Sequence, residues 1–112
     1  MTKKIRDIVY AKFDGHCAYC GCVLEKGWQV DHIIPKVDGG KDDLNNLHPS
    51  CPKCNGFKKY TSLNYFKDRM INLLQTLKKH PDYKAALRFS MIEVKERGWD
   101  GKFYFEKITN KE

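Results

Sequence analysis

Apolar residues recur at helical spacing in three stretches of the chain. Ile5, Ile8, Val9, Lys12 and Phe13 share one helical face, which predicts a short amphipathic helix over residues 3–13 that Gly15 ends. Leu63, Phe66, Met70, Leu73, Leu74 and Leu77 mark a second stripe, and Tyr83, Leu87, Met91 and Val94 a third; His80-Pro81-Asp82 separates them and Gly98 stops the last. Both later stripes read as core-facing helices. Between residues 16 and 59 the pattern changes. A cysteine-rich turn over 16–22 precedes a strand, Trp28 to Asp31, and Pro35, Gly39 and Gly40 break the chain into a loop. Leu44 to His48 suits a short returning strand. Pro52 to Lys59 suits a helix, because proline is tolerated in a first turn. Phe103-Tyr104-Phe105, after Gly101, reads as a last short strand. The expected fold is α+β, mainly α, with one small antiparallel hairpin and a C-terminal helical pair.

With 112 residues the chain suffices for one domain, 1–112, and its 41% apolar content places it among globular chains. Charge adds a partner class. The formal net charge is +7, and it is uneven: residues 1–56 hold 8 basic and 7 acidic side chains, residues 57–112 hold 13 and 7. A basic half beside a near-neutral one points to a polyanion. The start, MTKKIRDIVYAKF, has no apolar run fit for a signal peptide, and no stretch approaches a membrane span. A reducing cytoplasmic location is therefore expected, where disulfides are rare.

That setting changes how the cysteines read. Cys17-Ala-Tyr-Cys20 and Cys51-Pro-Lys-Cys54 are two C-x-x-C pairs, each able to present two thiolates from one tight turn. Together they make the ligand set of a structural Zn²⁺ site, whose binding energy adds directly to folding. Cys22, the fifth cysteine, could replace Cys20 as a ligand, but the C-x-x-C turn is the better geometry, so it is expected to be a small packing residue or a free thiol.

Between the two pairs stands Val30-Asp31-His32-Ile33-Ile34, with an acid and a histidine at the end of an apolar strand. Asn46 and Asn55 lie further along, Asn55 directly after Cys54. Asp31 and Asn55 offer hard oxygen ligands suited to Mg²⁺ or Mn²⁺. His32 suits a general base, and Asn46 could accept a hydrogen bond from its other ring nitrogen and fix the tautomer. With a metal polarising a phosphate, these groups would hydrolyse a phosphodiester. Lys58 and Lys59 are candidate phosphate contacts. His48, two residues past Asn46 on the same strand face, could approach the site.

The run Cys17-x-x-Cys20, Asp31-His32-Ile-Ile-Pro35, Gly39-Gly40, Asp43, Asn46-Leu47, Cys51-x-x-Cys54-Asn55 and Lys58 resembles the HNH endonuclease family over residues 16–59. The resemblance implies a zinc-stapled ββα-metal core and a nuclease using one divalent cation. It puts the general base on His32, the metal ligands on Asp31 and Asn55, the base-orienting asparagine on Asn46 and structural zinc on the cysteine quartet. Lys58 matches a basic residue expected to face phosphate. DNA is the expected substrate, and since no separate specificity domain is visible, either sequence preference is weak or a protein partner or dimerisation supplies it. The rival reading is a non-catalytic zinc-ribbon module that binds nucleic acid; it has no use for Asp31, His32, Asn46 and Asn55 at these spacings.

Overall fold

The computed structural model describes residues 1–109. Its elements run α1 (Lys3–Ala11), β1 (Gln29–His32), β2 (Leu47–Ser50), α2 (Pro52–Lys58), α3 (Leu63–Ile71), α4 (Leu73–Lys79), α5 (Pro81–Arg88) and α6 (Tyr104–Thr109), with single 3₁₀ turns at Lys36–Asp38 and Leu44–Asn46. None of the described helices is long and apolar enough to cross a membrane. The chain divides into two compact units. One comprises Met1–Phe66 and the segment from Lys102 onward; the other is Lys67–Gly101.

The first unit is built on a two-stranded antiparallel sheet in which Gln29, Val30, Asp31 and His32 pair with Ser50, Pro49, His48 and Leu47. The returning strand starts later than the sequence pattern suggests, because Leu44–Asn46 closes a 3₁₀ turn first. All four residues of β2 are buried. Helix α2 follows at once. Cys51 is its N-cap and its sulfur accepts from the Cys54 N–H, while Pro52 occupies the first turn, where a missing donor costs nothing. Strand, strand and helix thus form the expected ββα unit, with α2 packed on β1. Helix α1 packs on β2 and buries Val9.

The core of this unit centres on Tyr19, inside the first C-x-x-C pair. The rings of His48, Phe66, Phe103 and Phe105 stand edge-on to it, with centroids 5.2–6.2 Å away, the geometry aromatic quadrupoles prefer. Phe103-Tyr104-Phe105 is not a strand. The N–H groups of Tyr104 and Phe105 donate to the carbonyls of Tyr19 and Ala18, and the chain then winds into α6. The Glu106 carboxylate reaches back to the Phe103 N–H at 3.0 Å, half of a capping box. That contact, not the alternation of aromatics, sets the local structure.

The second unit departs further from the sequence pattern. The stripe from Leu63 to Leu77 is broken at Asn72, whose side-chain amide donates to the Asp68 carbonyl at 2.8 Å. The third stripe ends at Arg88 rather than near Gly98. Ser90 takes a left-handed φ of +56°; its N–H donates to the Leu87 carbonyl and that of Met91 to the Ala86 carbonyl. This is a Schellman ending with serine in glycine's usual place. Of the second stripe only Phe66 is buried; Leu73, Leu74, Leu77, Leu87, Met91 and Val94 are exposed, so the expectation of a fully core-facing pair fails.

Phe103 is 3% exposed and Met91 74%. Phe103→Ala should therefore cost about 3–5 kcal/mol, and Met91→Ala no more than about 0.5 kcal/mol, in urea unfolding of the two variants followed by circular dichroism. Equal losses would mean that α6 does not complete the core.

Candidate active site and thiol cluster

Successive strand residues point to opposite faces, so Asp31 and His32 at the end of β1 take different surroundings. Asp31 turns inward and is 4% exposed. A buried carboxylate must be satisfied by donors. One oxygen accepts from the Tyr19 hydroxyl and the other from the Lys58 ammonium at 3.2 Å. A tyrosine has one hydrogen to give. With that hydrogen on Asp31, the Tyr19 oxygen accepts from Nδ1–H of His48 at 3.1 Å, which makes His48 the neutral Nδ1 tautomer. Burial pushes the Asp31 carboxyl upward, opposed by the Tyr19 hydrogen bond and the Lys58 charge. Burial and then the Asp31 charge push the Tyr19 phenol upward, so it remains a donor. Burial, then the positive charges of Lys12 and Lys58, bring His48 down to about 3.

Lys58 is fully buried and also donates to the His32 carbonyl at 2.9 Å. Its ammonium therefore does not face a phosphate, which corrects the expectation from sequence. It neutralises Asp31 and ties α2 to β1. Lys59, the next residue, is exposed.

His32 is held from the loop. Its Nε2 lies 2.7 Å from an Asp42 carboxylate oxygen, and Lys36 stands 3.5 Å from the same oxygen. The His32 hydrogen bond holds the Asp42 carboxyl below its usual range. Asn46 does not hydrogen-bond the imidazole, again unlike the sequence expectation. Its carbonyl oxygen accepts from the Ile34 N–H at 2.9 Å, and its amide donates to the carbonyls of Ile34 at 3.2 Å and Lys41 at 2.9 Å. Three backbone bonds occupy the side chain, so it shapes the loop that carries Asp42. Gly40 closes that loop: a Cβ there would lie 1.7 Å from the Ile34 carbonyl oxygen.

Asp31, His32, Lys36, Asn55, Lys59 and Tyr60 line one open cleft of about 400 Å³. The Asn55 amide donates to the Gln29 side chain on β1. Asp31 and Asn55 thus bring two oxygen-bearing groups to the cleft. Each carboxylate oxygen of Asp31 has a second lone-pair position beyond the bond it already accepts, and oxygen donors of this kind are what a hard divalent cation takes.

A separate cluster holds the cysteines. The sulfurs of Cys17, Cys20, Cys22 and Cys51 lie within 4.8 Å of one another, and those of Cys20 and Cys51 are 3.8 Å apart. A tetrahedral zinc with Zn–S bonds of about 2.3 Å has S–S edges of about 3.8 Å, so the cluster is compatible with structural zinc. The neighbouring Cys54 thiol, with backbone N–H groups, brings Cys17 down to about 4. Cys22 is not the bystander expected from sequence; its sulfur stands within the cluster.

All of these groups fall in one stretch of chain. Residues 17–61 match the family model of the HNH endonucleases. The HNH match runs from the first C-x-x-C pair through both strands and the loop to just past α2, and leaves α1 and everything after Thr61 outside it. HNH proteins are in general nucleases acting on nucleic acid through a bound divalent metal. Among curated proteins and solved structures, no significant match was found.

Sequence reasoning missed Tyr19 and Asp42 and saw His48 only as a neighbour. Tyr19 was hidden between two cysteines, and the sole signal for Asp42 was an acid in a glycine-bounded loop.

Two predictions test this arrangement. Lys58→Met leaves Asp31 buried without its cation and should cost about 3–5 kcal/mol, whereas Lys59→Ala should leave stability unchanged; chemical denaturation of both variants separates a buried partner from a surface lysine. His48 is protonated near 6.5 when unfolded and only near 3 when folded. Below the unfolded value the unfolded chain takes up a proton that the folded chain refuses, so stability present above it is lost as pH falls. The loss should be about 2 kcal/mol between about pH 7 and about pH 5. Asp31, shifted upward, acts in the opposite sense in wild type and variant alike. His48→Gln should therefore flatten the pH profile of unfolding measured at saturating zinc, and an unchanged slope would rule out His48 as its source.

Proposed function

We propose that this chain is a metal-dependent endonuclease that hydrolyses phosphodiester bonds, with DNA as substrate and His32 as general base. The observation that carries the reading is the convergence of Asp31, His32 and Asn55 on one cleft within the HNH match. Asp31 and Asn55 would hold Mg²⁺ or Mn²⁺. When bound, such a cation supplies positive charge to a phosphate oxygen and to the leaving oxygen. Asp42 accepts the Nε2 hydrogen of His32, which leaves Nδ1 as the basic atom to take a proton from water. Asp42 is in this reading a positioning residue. Asn46 acts one step further back, by fixing the loop that presents Asp42.

The cysteine cluster would hold Zn²⁺ as a structural ion, distinct from the cation in the cleft. Lys59 and Lys36, on the cleft wall, are the phosphate contacts that the geometry favours, with Tyr60 exposed beside them. The net charge of +7 supports a polyanionic substrate. A zinc-ribbon module that only binds nucleic acid would explain the charge and the cysteines but not the His32–Asp42 pair beside two oxygen ligands.

His32→Ala should lower single-turnover plasmid cleavage at saturating Mn²⁺ by about 10²–10⁴-fold while leaving zinc content and DNA binding unchanged. Asp42→Ala should give a smaller loss. Lys59→Ala should weaken binding and reduce the salt slope by about 0.9 for the one contact removed. Equal cleavage rates for wild type and His32→Ala would remove His32 as the base, and absence of cleavage by wild type with either cation would favour the zinc-ribbon reading.

A further inference from the structure

The chain brings a fifth cysteine beside a cluster that already holds the four sulfurs a tetrahedral zinc accepts. Cys17, Cys20, Cys22 and Cys51 are mutually close, while Cys54, the second cysteine of the other C-x-x-C pair, stands at the edge of the group with its N–H donating to the Cys51 sulfur at 3.4 Å. Cys17, Cys20 and Cys51 belong to either possible quartet. The fourth donor is Cys22 or Cys54.

The backbone explains how Cys22 comes to be there. The N–H of Gly21 donates to the Cys17 carbonyl at 3.0 Å, and the N–H of Cys17 donates to the Cys22 carbonyl at 2.8 Å. The turn between them passes through Gly21 at φ +79°, where a Cβ would also come within 2.7 Å of the Tyr104 ring. The bridge His16–Val23 then extends the closure outward. Cys22 is thereby folded back over Cys17 instead of leading away from the cluster. It is exposed, whereas Cys54 is half-buried.

We propose that Cys22 is a working zinc ligand that shares the fourth coordination position with Cys54, so that the metal centre draws on five cysteines. The proposal rests on the reading of the cluster as a zinc site. In the exchange the Cys22 sulfur–zinc bond forms and the Cys54 sulfur–zinc bond breaks. The proton lost by the Cys22 thiol is taken up by Cys54 through solvent, so zinc stays bound to four thiolates and no electron moves. The consequence is a centre that tolerates loss of either donor, because the other completes the tetrahedron.

The test begins with metal analysis of the purified full chain. One zinc per chain is expected, and none would overturn both the zinc reading and the proposal. The zinc-loaded protein is then treated with limiting iodoacetamide and its peptides are mapped. One alkylated cysteine per chain is expected, divided between Cys22 and Cys54, with zinc retained. Label confined to Cys22, or confined to Cys54, would leave zinc binding intact and overturn the sharing. Cobalt substitution gives an independent reading. Cys22→Ser and Cys54→Ser should each keep the full thiolate-to-Co²⁺ charge-transfer band, and the double variant should lose about a quarter of it as four thiolates fall to three. A folded Cys54→Ser protein with only three thiolates on Co²⁺ overturns the proposal. If Cys54→Ser does not fold, the alkylation pattern of the wild-type chain decides.

Discussion

A carboxylate out of water must be neutralised or it costs several kcal/mol, and the first unit is arranged around meeting that need at Asp31. The side-chain alternation of β1 makes the burial unavoidable: with His32 at the cleft wall, its neighbour turns inward. Three elements answer. The cysteine turn sends Tyr19, α2 sends Lys58, and β2 sends His48 behind Tyr19. The Tyr19 and Lys58 bonds join the cysteine turn and α2 to β1, and the His48 bond joins β2 to the cysteine turn, so satisfying one charge helps assemble the ββα unit. Among the described residues no buried side-chain polar atom is left without a partner.

Tyr19 connects the two parts of the unit that are chemically unlike. Its ring is the centre of the aromatic core and its hydroxyl ends on Asp31, while its N–H donates to the sulfur of Cys17 at 3.4 Å. The soft sulfur cluster and the hard oxygen cleft are therefore mechanically linked through one residue while sharing no ligand. Rigid support of this kind is what a site needs if its groups are to hold their geometry within fractions of an ångström.

Much of the ββα unit was legible because its signals are local. The Val-Asp-His run, the glycine-bounded loop and the Cys-Pro helix start each announce their own structure, and the cysteine spacing announces a metal. What failed were particular inferences about who meets whom. Asn46 has the right chemistry to orient an imidazole, but backbone groups nearby took its side chain and Asp42 took the imidazole. Lys58 follows the rule that lysines are exposed until a buried acid demands otherwise. Phe103-Tyr104-Phe105 has a strand's alternation, and only the reach of Glu106 to the Phe103 N–H turns it into a helix start. Ser90 ended α5 without the glycine that would have flagged it. The five-cysteine cluster was half legible: spacing indicated two pairs, but only the fold brings Cys22 to them.

The return of α6 to Tyr19 also has a bearing on the birth of the protein. The aromatic cluster joins residue 19 to residues 103 and 105, with the whole of Lys67–Gly101 synthesised in between. At roughly 5–20 residues per second on a ribosome, Tyr19 waits roughly 4–17 s for its last two ring partners. During that interval the hairpin and α2 have emerged, but one side of the ring cluster stands open to water. The cysteines need no such wait, since all five lie before residue 55. Metal capture by the nascent chain would hold the strands together until the phenylalanines arrive.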